Sequence, residues 1–332
     1  DQPDLAEFSG DIGLSEAAGI TASWVGPENK LFGAAGTPED QPSAAAWQSA
    51  SQAYLVEFAP ESSLEGLSSL NIESTSGEAE ALHLIVRAGA GSKAALVINH
   101  SGKANLGENV EIVVEDNASL TLISVQNWAR GTTHLSSHFI KIGRNASVKH
   151  IVVTLGGDVV RLNPSAVFAG VGGSVDLYGL YFADAGQYQE HRLFVDHAVA
   201  NCRSRVTYKG ALQGEKAHTV WVGDVLIRAA AEGTDTYELN RNLLLTDGAR
   251  ADSVPNLEIE TGQIEGAGHA SASGRFDDDQ LFYLQSRGIS EQEARQLVVR
   301  GFLNEVIQQI GDDALATQLT AAVEAKLERS GS

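Results

Sequence analysis

His269 is the residue of this 332-residue chain best placed to do chemistry. It sits in EGAGHASASGR, where Ala267, Gly268, Ala270 and Ser271 give an imidazole little side-chain cover. An uncovered imidazole can ligate iron, hold a cluster with a partner's thiolate, or hydrogen-bond across an interface. Cys202, the single cysteine, follows His197 in DHAVANCRSR. An imidazole oriented by Asp196 would make its thiolate a nucleophile. On a continuous strand, however, His197 and Cys202 point to opposite faces, which favours a buried, inert thiol. His134 and His138 in HLSSHF would share zinc on a helix. On a strand they share a face but stand about 13 Å apart, too far for one ion. The run Asp277, Asp278 and Asp279 reads as an acidic first turn complementing a helix dipole, with cation coordination as the alternative.

Phosphate chemistry finds no seat. Gly89, Gly91 and Lys93 miss the spacing of a phosphate-binding loop, and Ala94 stands where Ser or Thr is required. GVGGS at 170–174 follows no strand-to-helix unit, so it is no dinucleotide fingerprint. The expectation is that the chain itself binds no nucleotide.

The elements that must position these residues fall into three regions. Residues 1–55 are rich in Ala, Ser, Gly and Pro and read as an N-terminal arm or small cap. Within it, AAGTPEDQPSAAAW carries Pro38 and Pro42 and reads as a loop. Residues 56–274 hold short runs of period-two alternation separated by Gly, Asn, Asp and Ser, with no helical period among them. NASLTLISV at 117, NASVKHIVV at 145 and GGSVDLYGL at 172 form an internal repeat spaced by 28 and 27 residues. Near-constant spacing is what a coiled solenoid requires, because every rung must return to the same edge before stacking. Pattern alone leaves a parallel β-helix and a sandwich both open.

Residues 275–332 switch to helical period. LFYLQSR is a short helix ended by Gly288, and Ser290 with Glu293 makes a capping box. Ala294, Leu297, Val298, Gly301, Phe302, Val306 and Ile310 trace one face of the next helix, and Leu315, Leu319, Ala322, Val323 and Leu327 a last one. So short a tail has too little core to stand alone and must lie on the β region or on a partner.

Composition bounds the partners. Asp and Glu total 43 against 23 Lys and Arg, a net charge of −20. With no basic stripe, that field excludes nucleic acid and an anionic membrane surface. No apolar run approaches the roughly 18 residues that span a bilayer. DQPDLAEFSG offers neither a basic nor an apolar region of a secretory signal, so the N-A-S triplets at Asn117 and Asn145 carry no glycosylation expectation. One cysteine forms no internal disulfide, and a reducing cytoplasm is the expected home.

Three ordered segments carry a family resemblance. ADSVPNLEIETGQIEGAGHASASGRFDDDQLFYLQSRGIS (251–290), DHAVANCRSRVTYKG (196–210) and ELNRNLLLTDGARADSVPNLEI (238–259) resemble the SufB/SufD family of iron–sulfur cluster assembly proteins. The likeness is strongest over about 190–310. It is to the SufD branch, because LLLTDGARADSVPNLEI lacks the scaffold cysteine of SufB and GAGHASASGR resembles S-H-G-A-T-x-G-R. Ala267 stands where some SufD chains have a cysteine.

The resemblance implies a mainly β protein: a right-handed parallel β-helix over 56–274, a small N-terminal region over 1–55, and a C-terminal helical region over 275–332 that binds SufC. It implies a non-catalytic subunit of a SufB–SufC–SufD scaffold that assembles iron–sulfur clusters, with ATP on SufC only. It implies that His269 meets iron or a cluster shared with SufB, and that reduced flavin belongs to the whole complex. Phe282, Tyr283, Leu284, Arg287 and Ile289 are the expected SufC contacts, aromatic anchors beside an Arg. The rivals are an independent homodimeric iron-binding scaffold and a β-helix enzyme acting on polysaccharides. The latter needs clustered carboxylates that the spacing does not assemble.

Overall fold

The computed structural model describes residues 5–15, 17–276 and 278–329, so Asp277 lies outside it, and the side chain of Asp278 is not described either. Residues 53–275 coil into a parallel β-solenoid of about eight turns. Each turn adds a strand to each of two facing sheets. Sheet I runs from Ala53–Phe58 to Arg250–Ile259, and sheet II from Ser68–Ser74 to Gly266–Arg275.

The sequence repeat is one rung, laid down again and again. Ser119 pairs with Ser147, and Ser147 with Ser174. Two residues before each serine the chain turns through left-handed backbone, at Asn117 (φ 57°), Asn145 (φ 54°) and Gly172 (φ 76°). Only Gly, and at modest cost Asn, enters that region readily, which is why the corners are built from them. Stacking also joins the corners: Asn145 Nδ2 donates to Asn117 Oδ1 at 3.5 Å.

Alternate residues of each strand fill the lumen, mostly with Val, Leu and Ile. Two tyrosines interlock with glycines on the neighbouring rungs. A Cβ at Gly179 would come within 2.0 Å of the Tyr208 ring, and one at Gly210 within 1.9 Å of Tyr181. Thus the tyrosine and glycine of TYKG are packing residues.

Midway along, the lumen turns polar. His100, Glu108 and His134 are fully buried with their ligating atoms within 4.8 Å of one another, the geometry of a metal centre. His100 meets two oxygens, the Val125 carbonyl at 3.2 Å and Glu108 Oε1 at 2.9 Å. Trp128 donates to His134 Nδ1 at 3.1 Å, so the proton of His134 is on Nε2, 3.1 Å from Glu108 Oε2. Ser136 also donates to that oxygen, at 2.7 Å, and bonds at 3.1 Å to His138, whose Nδ1 lies 2.8 Å from His150 Nε2. Each ring nitrogen of His100 and His134 and both oxygens of Glu108 thus already have a partner within the protein. Burial opposes the charge on Glu108, but His100 and His134 hold its carboxyl well below the usual range. His134 and His138 do share a face, as expected, and Ser136 links them.

Each sheet has one covered outer face. On sheet I, helix α1 (Gln41–Ser49) seats Ala46 and Ala50 on Ala81. The Glu111 carboxylate accepts from the backbone of Gly33 (2.7 Å) and Ala35 (3.0 Å), pinning the preceding loop. Part of the segment expected as a loop is therefore helix. Asp40 caps it by accepting from Ser43, and Pro42 sits in the first turn, where no N–H is needed.

On sheet II lie helices α3 (Glu291–Ile307) and α4 (Asp313–Arg329), and α2 (Asp278–Ser286) packs against α3. Ser290 and Glu293 form the expected capping box, and Gly288 turns through φ 85° after α2. Val299, Leu303, Val306, Leu319 and Val323 pack on Ile123, Ile151, Val153, Leu180 and Phe182. The buried stripe of α3 matches the expected one in part: Ala294, Val306 and Ile310 are buried as expected, but Val299, Leu303 and Ile307 are inside as well and Leu297 is exposed. Two-sided contact, with sheet II on one side and α4 on the other, shifts the stripe. Lys209 clamps the arrangement by donating to the Phe302 carbonyl at 3.1 Å and pairing with Glu305.

Two expectations follow from this packing. Leu303→Ala should cost about 2–5 kcal/mol, read as a lowered urea midpoint, because its cavity lies between sheet and helix. Burial also lowers three lumen histidines, His138 and His197 to about 4 and His191 to about 3, against 6.5 unfolded. Below pH 6.5 the unfolded chain takes up protons that the native chain refuses, so stability falls as pH drops towards 4. Each such histidine adds up to about 1.4 kcal/mol per pH unit. Urea midpoints at pH 7 and 5 should therefore differ less in His191→Phe than in the parent chain.

Candidate functional site

The two ends of the solenoid are finished differently. At the first end, Ile20–Val25 pairs antiparallel with Ala53–Phe58, and Asp11–Leu14 with Ser68–Ser74. At the other end, Arg250–Ile259 and Gly266–Arg275 are paired on one side only. Among the described residues no strand continues either sheet. Pro255 fits here because an edge strand can spare an N–H. Val254, Ile259 and Tyr237 leave apolar surface exposed around this rim.

His269 lies on the last strand, in register with Glu238 of the strand beneath. Its face is fixed by its neighbours: Ala267 packs on the lumen core, and Ser273 accepts from Asn242 at 3.2 Å. Alternation puts His269 on that same inner face, exposed at the mouth of the lumen.

Glu238 forms the floor beneath it. Its side chain is buried, the residue only 1% exposed, and neither carboxylate oxygen has a hydrogen-bond partner. The carboxyl reaches across to Gly223 of sheet I, where a Cβ would stand 2.8 Å from Oε1 and 2.5 Å from the Trp221 ring. Burial, reinforced by the charge of Asp224, pushes the carboxyl up to about 8. Three polar residues nearby are engaged with one another, while Trp221 Nε1 is buried without a partner. Asn242 donates to Asn240 (2.8 Å), Ser253 donates to Asn240 (2.7 Å), and Asn240 donates to the Tyr181 hydroxyl (2.9 Å). Sequence reasoning passed over Glu238, although its place at an inward position of TYELNRN was a usable signal.

Cys202 is remote from this chemistry. It is buried at an earlier corner with Sγ near the Gly170 and Ala200 carbonyls, at 3.6 and 3.5 Å, and burial pushes its thiol up. His197 bonds Ser204 at 2.9 Å, and Asp196 holds Arg228 through two contacts of 2.8 Å. These three residues form no nucleophilic triad.

The helical residues singled out from sequence lie on and just after α2. Leu281 is its buried anchor, which turns Phe282 (72% exposed) and Tyr283 (56% exposed) outward. Arg287 stacks over the Tyr283 ring at 5.1 Å, while Leu284 and Ile289 are half-buried. No helix among the described residues is long and apolar enough to cross a membrane.

Comparison with known proteins agrees with this architecture. Residues 71–302 match the family described as SUF system FeS cluster assembly, SufBD core domain. A Mycobacterium tuberculosis protein described as an iron–sulfur cluster assembly SufBD family protein is 51% identical over 97% of this chain and 83% of its own length. A Mycobacterium leprae protein of the same description is 48% identical over 95% of this chain and 82% of its own length. The Escherichia coli iron–sulfur cluster assembly protein SufD is 29% identical over 70% of this chain and 56% of its own length. The solenoid, its sequence motifs and these relatives lead to one conclusion: the chain belongs to the SufBD family of the SUF iron–sulfur cluster assembly system.

Proposed function

We propose that this chain is the SufD-type, non-catalytic subunit of a SufB–SufC–SufD complex that builds iron–sulfur clusters in the cytoplasm. The observation that carries the reading is the uncapped last turn, with His269 on its inner face. Unpaired strand edges seek another sheet, and a sister solenoid of the SufB type offers one. In that assembly His269 faces iron or a nascent cluster, opposite a thiolate that this chain does not supply. Cys202, its single cysteine, is buried in an earlier turn.

The exposed face of α2 supplies the second contact. Phe282 and Tyr283, with Arg287 stacked on Tyr283, are anchors of the kind that dominate protein interfaces. In this reading they dock SufC, which alone binds and hydrolyses ATP. Closure of paired SufC subunits then shifts the helical regions and the solenoid interface between two states. Reduced flavin belongs to the assembled complex rather than to the separate chain.

The complex reconstituted with His269→Ala should retain SufC and lose cluster yield by at least about tenfold, the scale of a disturbed metal ligand. Unchanged iron and sulfide content would sink the ligand role. Phe282→Ala should weaken SufC capture by about 2 kcal/mol or more, as expected of a central aromatic anchor. Undiminished capture would move the contact elsewhere. Co-expression with both partners checks the assembly itself: a stable homodimer that excludes SufB would overturn the heterocomplex.

A further inference from the structure

We propose that Glu238 and His269 together form a divalent-cation site at the mouth of the lumen, with Glu238 as the second ligand for ferrous iron. The inference rests on the reading of His269 given above and deepens it. Three observations carry it. First, the two residues are register partners on adjacent strands and share the inner face, which sets their Cα atoms about 4.8 Å apart. One ion can span side chains so placed.

Second, Glu238 is buried with both oxygens unpartnered. Buried polar atoms are nearly always bonded, and an orphaned carboxyl signals a missing ligand. Among the described residues no Lys, Arg or His pairs with it. Asn240, Asn242 and Ser253 spend their donors on one another and on Tyr181. A doubly charged ion supplies the countercharge that the protein withholds.

Third, the room for the carboxyl is built. Gly223 stands where any Cβ would meet both Glu238 Oε1 and the Trp221 ring. A glycine opposite the glutamate leaves the carboxyl room to extend across the lumen. One carboxylate oxygen and one imidazole nitrogen suit Fe²⁺ and other borderline divalent ions. Two protein ligands leave further positions open toward the exposed end, where a partner or sulfide would complete the shell.

The test is anaerobic titration of the full chain with Co²⁺ as a spectroscopic stand-in, followed by visible absorption. The parent chain should bind Co²⁺. Glu238→Gln and His269→Ala should each weaken binding by at least about tenfold, the scale of perturbed metal sites, and the double variant should lose little more. Glu238→Gln is close to isosteric, and an unchanged urea midpoint verifies its fold. Glu238→Leu, equally lacking a ligand, serves if Gln does not fold. Failure of the parent chain to bind Co²⁺, or equal affinity in Glu238→Gln, overturns the site.

The two readings fail separately. If His269→Ala lowers cluster yield while Glu238→Gln leaves Co²⁺ affinity untouched, the function stands and the Glu238 assignment falls. If Glu238→Gln weakens Co²⁺ binding while His269→Ala leaves cluster yield intact, the cation site stands and the functional reading falls.

Discussion

A parallel coil of strands must end twice, and each end leaves a row of backbone donors and acceptors without a neighbour. Much of this molecule follows from how those two rows are treated. At the first end the chain doubles back, and short antiparallel strands close both sheets. At the last end nothing of the kind occurs among the described residues. An open edge with exposed Val254, Ile259 and Tyr237 is adhesive, and selection normally blunts such edges. The exposed imidazole of His269 stands at this same end, so the unpaired edge and the uncovered ring share one rim.

The interior serves the same end. Apolar side chains fill most of the lumen, while His100 and Glu108 are held in its earlier half by a chain of hydrogen bonds reaching His150. Breaking such a buried pair from one side is costly, so these residues specify the stacking of their rungs. Further along, Tyr208 over Gly179 and Tyr181 over Gly210 lock the rungs that support the final turns. Tyr181, Tyr208 and their facing glycines thus form part of the foundation of the open end, with His269 further along the coil.

Much of this was legible in the residues. The rung repeat showed itself because Asn117, Asn145 and Gly172 are the types that tolerate the corner conformation, although the pattern alone left a sandwich open and the family resemblance pointed to the β-helix. The capping box was legible because its four residues act locally. What escaped depended on distant partners. Helix α1 was hidden by Pro42, which forbids a helix interior but suits a first turn. The stripe on α3 was misplaced in part because sheet II and α4 both claim it, so Leu297 ends outside and Val299 inside. His100 and Glu108 could not be joined with His134, since only stacking brings three separate strands together. Glu238 was missed for the same reason: its significance lies in Gly223 across the lumen and His269 one strand above.

Lys209 gives the helical tail a mechanical meaning. Its ammonium grips the Phe302 carbonyl and Glu305 on α3, yet its backbone lies on Arg203–Leu212, directly alongside the strand that bears Glu238. The tail is therefore riveted to the barrel of the molecule rather than hinged from it. Any load on α3 would reach the rim after crossing a single strand, which gives the helices the leverage of a short, stiff crank beside the opening.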